Sequence, residues 1–295
     1  MPPVRLCLAA LLLLAVAGQT FAERLAFVDD TGHEVVLDAP AERIVSLAPS
    51  ITELLFDAGA GEQVVAAVDY SDYPPAAADI PRIGSSERLN LEAILDFEPD
   101  LVIGWDSGNP RHQVGRLREL GVPVYMTEAR QPADIARTLR RLGRLAGTDA
   151  VAEQAAGEFV ARFAMLRALH GERERVGVFY QIWNDPLMTV NGEHMISAII
   201  RGCGGYNVFE DLSSLAPRVD VEAVLARDPD VIIASGSDAG APGWLDDWRE
   251  WPELRAVRLD NIYSIPPDII QRQTPRILAA MELMCEQIEQ ARRRQ

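Results

Sequence analysis

Two similar α/β lobes joined by one long rigid helix are the architecture that this 295-residue chain predicts. Three observations predict it. A helix-then-strand unit occurs twice. Short apolar runs rich in β-branched residues alternate with amphipathic stretches along the whole chain. One proline-free stretch of helical periodicity separates the two copies of the unit.

The first copy reads Leu89-Asn-Leu-Glu-Ala-Ile-Leu-Asp-Phe-Glu-Pro-Asp-Leu-Val-Ile103, and the second Val219-Asp-Val-Glu-Ala-Val-Leu-Ala-Arg-Asp-Pro-Asp-Val-Ile-Ile233. Each opens on a capping residue, Asn90 or Asp220, whose side chain satisfies orphan N–H groups at a helix start. Each helix stops before Pro99 or Pro229, since the residue before a proline disfavours helix. The apolar runs that follow suit parallel strands covered on both faces. Two Rossmann-like lobes, each containing one copy, are the consequence.

In chain order, residues Leu25 to Leu37 read as two strands around Asp29-Asp-Thr-Gly32, a turn with hairpin chemistry. A strand at Arg43–Leu47 leads into a helix from Pro49, with Ser50 or Thr52 as its cap, ending near Gly59. Val64–Val68 is the next strand, followed by the polar-aromatic loop Asp69-Tyr-Ser-Asp-Tyr-Pro-Pro75. The first repeat copy ends in Trp105, and a helix (Arg111–Leu120) and a strand (Val122–Met126) close the lobe. From Asp149 to His170, Val151, Ala155, Phe159, Phe163 and Leu166 recur at helical spacing, a rod of roughly 33 Å. The second lobe restarts at Val176–Tyr180, with the loop Trp183-Asn-Asp-Pro186 and a helix at Ser197–Arg201. Then come Tyr206–Phe209, the second repeat copy, Trp244–Leu254, a strand at Ile262–Ile265 and a last helix from Pro275. The expected division is 1–22, 23–147, 148–171 (the connecting helix) and 172–295.

Residues 1–22 read as a secretory signal: a basic start through Arg5, an apolar run from Leu6 to Ala17, and a small-residue cleavage site ending at Ala22. Cys7 leaves with it. In an exported chain Cys203 and Cys285 are candidates for a disulfide, with two separate buried thiols as the alternative. A formal charge of −16 and a pI of about 4.7 give no electrostatic footprint for nucleic acid. All 28 basic residues are arginine, with no dominant cluster.

Catalytic motifs are missing: the sequence has no G-x-S-x-G elbow and no H-E-x-x-H. Gly59-Ala-Gly61 follows a helix rather than a strand, so it is no dinucleotide loop. The histidines His33, His112, His170 and His194 are scattered, and no metal or cofactor is expected. Aromatics are what gather at strand ends, where ligands of an α/β sheet sit. Tyr70, Tyr73, Trp105 and Trp183 all follow strands, as does the loop Pro266–Arg272. Flat rings beside a few hydrogen-bonding groups suit a large, flat, amphipathic ligand. Trp244, Trp248 and Trp251 have the i, i+4, i+7 spacing of a helix stripe and are assigned to packing. Glu92 and Glu222, matched in the two repeat helices, have a plain reading as dipole partners or capping-box acids. Their symmetry also suits two negative knobs on a partner-facing surface, set away from the cleft.

The segment Arg43-Ile-Val-Ser-Leu-Ala-Pro-Ser-Ile-Thr-Glu-Leu-Leu55 resembles the opening of the helical-backbone (class III) periplasmic binding proteins of ABC importers. Within them the chain is similar to the vitamin B12-binding branch, through Tyr70-Ser-Asp-Tyr-Pro-Pro75, Asn90-Leu-Glu92, Pro99–Ile103 with Trp105, Cys203-Gly-Gly205, Glu222–Arg227, Arg272 and Pro275-Arg276. The resemblance covers nearly all of the chain after the signal, and the Tyr-Ser-Asp-Tyr-Pro-Pro loop is its more specific part. It implies a periplasmic protein with a corrinoid cleft lined by Tyr70, Trp105, Trp183, Asp268, Ile269, Ile270, Gln271 and Arg272. It also implies a Cys203–Cys285 bridge, and Glu92 and Glu222 pairing with arginines of a membrane permease. Two departures stand out: Ser85-Ser86 replaces a pocket tryptophan, and Ile269-Ile270 replaces a bulkier aromatic pair.

The expectation is an exported binding protein that captures cobalamin or a related corrinoid as transported ligand, delivers it to an ABC importer, and carries out no catalytic step. A ferric-siderophore or haem binder is the alternative, favoured if basic residues such as Arg272 face the ligand. An exported enzyme using Asp69, Asp72 or Asp268 is the alternative of another class, and an adhesion or scaffold module a third.

Overall fold

The computed structural model describes residues 24–235 and 242–295; the expected signal segment, with Cys7, lies outside the described residues. In the first lobe a hairpin of β1 (Leu25–Val28) and β2 (Glu34–Leu37) precedes β3 (Ile44–Ser46), α1 (Pro49–Asp57) and β4 (Val64–Ala67). A small pair, β5 (Gly84–Ser85) and β6 (Arg88–Leu89), leads to α2 (Leu91–Asp96), β7 (Leu101–Trp105), α3 (Arg111–Glu119), β8 (Val124–Thr127), α4 (Pro132–Ala146) and α5 (Asp149–His170). The second lobe runs β9 (Val176–Gln181), α6 (Met195–Gly202), β10 (Gly205–Asn207), α7 (Val221–Arg227), β11 (Val231–Ser235), α8 (Arg255–Arg258), β12 (Ile262–Ile265), α9 (Pro267–Ile270) and α10 (Ile277–Arg293).

Two four-stranded sheets result, in the orders β4-β3-β7-β8 and β10-β9-β11-β12. Every pair in both is parallel. Within each lobe the second strand is at the edge, then the first, third and fourth, so the two topologies coincide. The repeated unit becomes α2–β7 and α7–β11, in the same place in each sheet. Asn90 accepts from the Ala93 N–H at 3.1 Å and Asp220 from the Ala223 N–H at 2.7 Å, the paired caps the repeat predicts.

Alternation along the strands sorts side chains to two faces. Ile44, Leu101, Ile103 and Tyr125 face one way with Val178, Tyr180, Val231 and Ile233 of the second sheet, into a core shared with α1, α4, α5, α6 and α10. Val45, Val102 and Val124 face the other side of the first sheet, and Phe179 and Ile232 the other side of the second. The shared core runs through α5, whose Ala152, Ala156, Phe159 and Leu166 are buried in it. Near its start Arg140 pairs with Glu153 at 2.6 Å, and further on Arg162 pairs with Glu282 of α10 at 2.6 Å. Cys203, just beyond α6, is disulfide-bonded to Cys285 of α10.

Three readings are corrected. The 15-residue α4 occupies a stretch absent from the expected order of elements. Neither Ser50 nor Thr52 caps α1: its cap is Ala48, and the Thr52 hydroxyl lies in the interior, bonded to Ser46 Oγ at 2.8 Å and Ser71 Oγ at 3.1 Å. Residues Gly243–Glu250 form a 3₁₀ helix rather than an α-helix, which changes where the tryptophans point.

Candidate functional site

The chain leaves β4 and enters the loop 69–75 with Tyr70 at φ +63. An aromatic residue in the left-handed region costs roughly 1–3 kcal/mol and persists only where its surroundings hold it. The loop is held from inside by Ser71, whose hydroxyl accepts from Thr52 and whose carbonyl accepts from Arg82 Nη2 at 2.8 Å. Tyr70 is left 78% exposed. Trp105, the last residue of β7, is half-buried; a side chain on Gly108 would collide with its ring, so glycine there makes room for the indole. Beyond β9 Trp183 is 61% exposed, its indole N–H donating to the Asp185 carbonyl at 3.0 Å. Large rings at the carboxyl ends of two sheets, those of Tyr70 and Trp183 largely exposed, form a surface suited to a flat partner.

A cavity of about 450 Å³ lies against the second sheet, lined by Trp183, Asp185, Ser235, Trp244, Pro267 and Gln271 among others. Its polar floor is a short chain: Gln271 Nε2 donates to Ser235 Oγ at 2.6 Å, and Ser235 shares a 2.6 Å bond with the Tyr180 hydroxyl. Trp244 belongs to this wall and also packs, partly buried, against the core on that side of the second sheet, so its assignment to packing alone is incomplete. In a 3₁₀ helix, at three residues per turn, positions four apart are about 120° from each other. Trp248 accordingly turns into the core, donating to Gln181 Oε1 at 2.7 Å, while Trp244 faces the cavity. No tryptophan spacing rule for an α-helix could have found it.

The last loop divides by residue. Asp268 bonds Arg272 at 2.8 Å, Gln271 reaches Ser235, Ile269 is partly buried, and Ile270 is packed in the core at 1% exposure. Arg272 does not present a free guanidinium. Its Nη1 reaches Glu53 Oε1 at 2.7 Å and Asp72 Oδ1 at 3.1 Å, and its Nη2 also reaches the Tyr70 carbonyl at 3.3 Å. Arg276 bonds the same Glu53 oxygen at 3.0 Å and lies 4.0 Å from the centre of the Tyr73 ring. Around these two cations stand Glu53, Asp72 and Asp268, so the site presents little net positive charge. Burial, with the charge of Glu53, pushes the nearby Asp57 carboxyl up to about 6, against the pull of Arg276.

Glu92 and Glu222 are both exposed, and neither carboxylate has a hydrogen-bonding or ionic partner among the described residues. Each occupies the second position after its cap, so no capping box closes. The expectation that they sit away from the strand ends is corrected. Just before α2, the Ser86 carbonyl accepts from Asn109, which follows β7, and Asn109 also bonds the Leu47 carbonyl at the end of β3. Just before α7, Val219 N–H donates to Leu187 and Met188 pairs with both Trp183 and Arg218. A helix that runs antiparallel to its parallel strands starts at their carboxyl ends, so both glutamates share the aromatic loops' end of the molecule. Among the described residues no group of three or more His, Cys, Asp or Glu could hold a metal ion.

A family model described as periplasmic binding protein matches residues 44–269. The vitamin B12-binding protein of Vibrio cholerae serotype O1 is 37% identical over 255 residues, covering 86% of this chain and 91% of that protein. The vitamin B12-binding protein of Yersinia pestis is 34% identical over 248 residues, 84% of this chain and 86% of that one. Among solved structures, the periplasmic vitamin B12-binding protein BtuF of Vibrio cholerae superposes with a TM-score of 0.78 at 35% identity, covering 86% of this chain and 98% of that chain. The periplasmic haem-binding protein RhuT from Roseiflexus sp. RS-1 superposes at 0.75 with 27% identity, covering 85% of this chain and 99% of that chain.

Proposed function

The chain belongs to the periplasmic binding protein family, and from that premise we propose that it captures cobalamin or a related corrinoid between its two lobes and delivers it to the permease of an ABC importer. The observation that carries the choice of ligand is the commitment of Arg272. Haem and many ferric siderophores bring carboxylates or other net negative charge, and a site for them gains from free cations. Here Arg272, which reaches the Tyr70 loop, is bonded to Glu53, Asp72 and Asp268. Cobalamin has a cationic cobalt–corrin centre, neutral amide arms and one phosphodiester, so exposed rings and hydrogen-bonding groups serve it better than arginines do. The greater likeness to vitamin B12-binding relatives than to the haem binder supports the same reading.

In this reading Tyr70 and Trp105 from the first lobe, with Trp183, Asp268, Ile269 and Gln271 from the second, contact the corrinoid. Trp244 extends the second wall, and Ile270 supports the loop from the core. Residues 23–147 and 172–295 act as lobes, and 148–171 as the connector that limits their motion. Glu92 and Glu222 dock the permease. The carboxylates Asp72 and Asp268 act as counter-ions to Arg272, which commits two of the three acids named for the enzyme alternative.

The test is isothermal calorimetry of the purified protein with cyanocobalamin, cobinamide, haem and a ferric hydroxamate, alongside tryptophan fluorescence. One-to-one binding of a corrinoid with quenching is expected, because Trp105 and Trp183 meet the corrin. Heat from haem or the ferric chelate alone overturns the proposal.

A further inference from the structure

Glu53 is an unusual residue to find where it is. It lies on α1, its side chain has no exposed surface, and every partner of its carboxylate comes from the other lobe: Arg272 at 2.7 Å, Arg276 at 3.0 Å and Thr274 Oγ1 at 2.9 Å. A buried carboxylate is stable only when paired and hydrogen-bonded, and here three groups from one short segment of the second lobe do that. Arg272 has a second role. Through the same guanidinium it holds Asp72 and the carbonyl of Tyr70, the residue with the left-handed backbone.

We infer that Glu53 is a positioning residue of the ligand site: reaching across the lobe boundary, it fixes Arg272, and Arg272 fixes the Tyr70 loop in its open, ring-exposed form. Two separate anchors then define that loop. Ser71 ties it to its own lobe through Thr52 and Arg82, and Arg272 ties it to the opposite one. The planar guanidinium is what makes this possible, because its fork of donors reaches three carboxylates and a carbonyl at once, which an ammonium cannot do. The distance between the two aromatic walls and the set of the Tyr70 ring are thereby controlled by one carboxylate that touches no ligand.

The inference rests on the ligand reading above, so its experiment has two arms. In the first, hydrogen exchange is followed over residues 68–78 in the full chain and in Glu53→Gln, Arg272→Lys and Asp72→Ala. All three are expected to exchange at least tenfold faster there at a temperature where each remains folded. Cys203→Ser/Cys285→Ser serves as a merely destabilised control and is expected to leave that segment unchanged. In the second arm, cyanocobalamin affinity is expected to fall at least tenfold in Glu53→Gln, through faster dissociation, and to stay within twofold in the cysteine control. If Glu53→Gln does not fold, Asp72→Ala decides, since its carboxylate is largely solvent-facing and its loss leaves no buried charge behind. Exchange within twofold of the parent, or affinity that merely tracks melting temperature, overturns the inference. A parent that binds no corrinoid overturns the ligand reading alone, and the exchange arm still decides this one.

Discussion

Replacing Asp57 with asparagine separates burial cost from ion pairing at the boundary between the lobes. Asp57 ends α1 one turn beyond Glu53, and burial together with the Glu53 charge pushes its carboxyl up to about 6 from an ordinary 3.8. A carboxyl raised in the folded state gives stability that is full below its unfolded value and is lost as pH rises through its folded value. Between about pH 4 and pH 6 the folded protein therefore binds more protons at this site than the unfolded chain, and stability falls as pH climbs. The whole gap corresponds to roughly 2–3 kcal/mol. Asparagine carries no charge to bury, so Asp57→Asn should match the parent near pH 4 and exceed it by about that amount at pH 7.5. In a protein of this size that is on the order of 5 °C in melting temperature. Urea denaturation of both proteins at pH 4, 5, 6 and 7.5 measures it directly. Equal stabilities at pH 7.5, or a difference that widens toward low pH, would show that Asp57 is held charged by Arg276 and that the reasoning is wrong.

Two further outcomes are expected. The Cys203–Cys285 bridge closes a loop with a sequence separation of 82, worth about 4 kcal/mol by chain entropy, and both cysteines are buried in the core and line no part of the cavity beside Trp183; reduction should lower the denaturation midpoint and leave corrinoid affinity within twofold, whereas a tenfold affinity loss would place the bridge in the site. Replacing both Glu92 and Glu222 with arginine should leave binding nearly unchanged but abolish uptake, since like charges facing a basic permease surface cost several kcal/mol, with single replacements giving partial loss; full uptake by the double variant would reduce both acids to helix-dipole partners.

Much of the fold could be read from the chain because the repeat, the caps and the β-branched runs each constrain one element locally. Asn90 and Asp220 cap as their identity requires, and α5 spans Asp149–His170 as its periodicity requires. The overlooked α4 had comparable signals: proline at its first position, a Gln131–Asp134 capping box, Ile135, Leu139 and Leu142 on one face, and Gly147 in the left-handed conformation at its end. The site was less legible, and for a different reason. Tyr70 and Trp183 follow strands, so their place at the strand ends needs only the strand order. Trp244 depended on a 3₁₀ winding that composition does not dictate. The partners of Arg272 depended on contacts with Glu53 and Asp72, about 200 residues earlier in the sequence. A residue type can suggest that an arginine meets an anion, but only tertiary structure decides whether that anion is a ligand or the opposite lobe.

The coincidence of the two sheet topologies has a functional consequence. Because the repeat unit occupies the same position in both sheets, its helix must begin beside the carboxyl ends of the strands in each lobe. The aromatic loops also leave from those ends. The repeat therefore places one glutamate and one set of aromatic loops on the same end of each lobe, and the shared core around α5 holds the two ends together. A permease that engages both glutamates is then bound to face the open side of the cleft. Docking through Glu92 and Glu222 would set the ligand at the membrane component's entrance with no rotation of the binding protein, and an ion-paired boundary at Glu53 would have to yield before the lobes could part to release it.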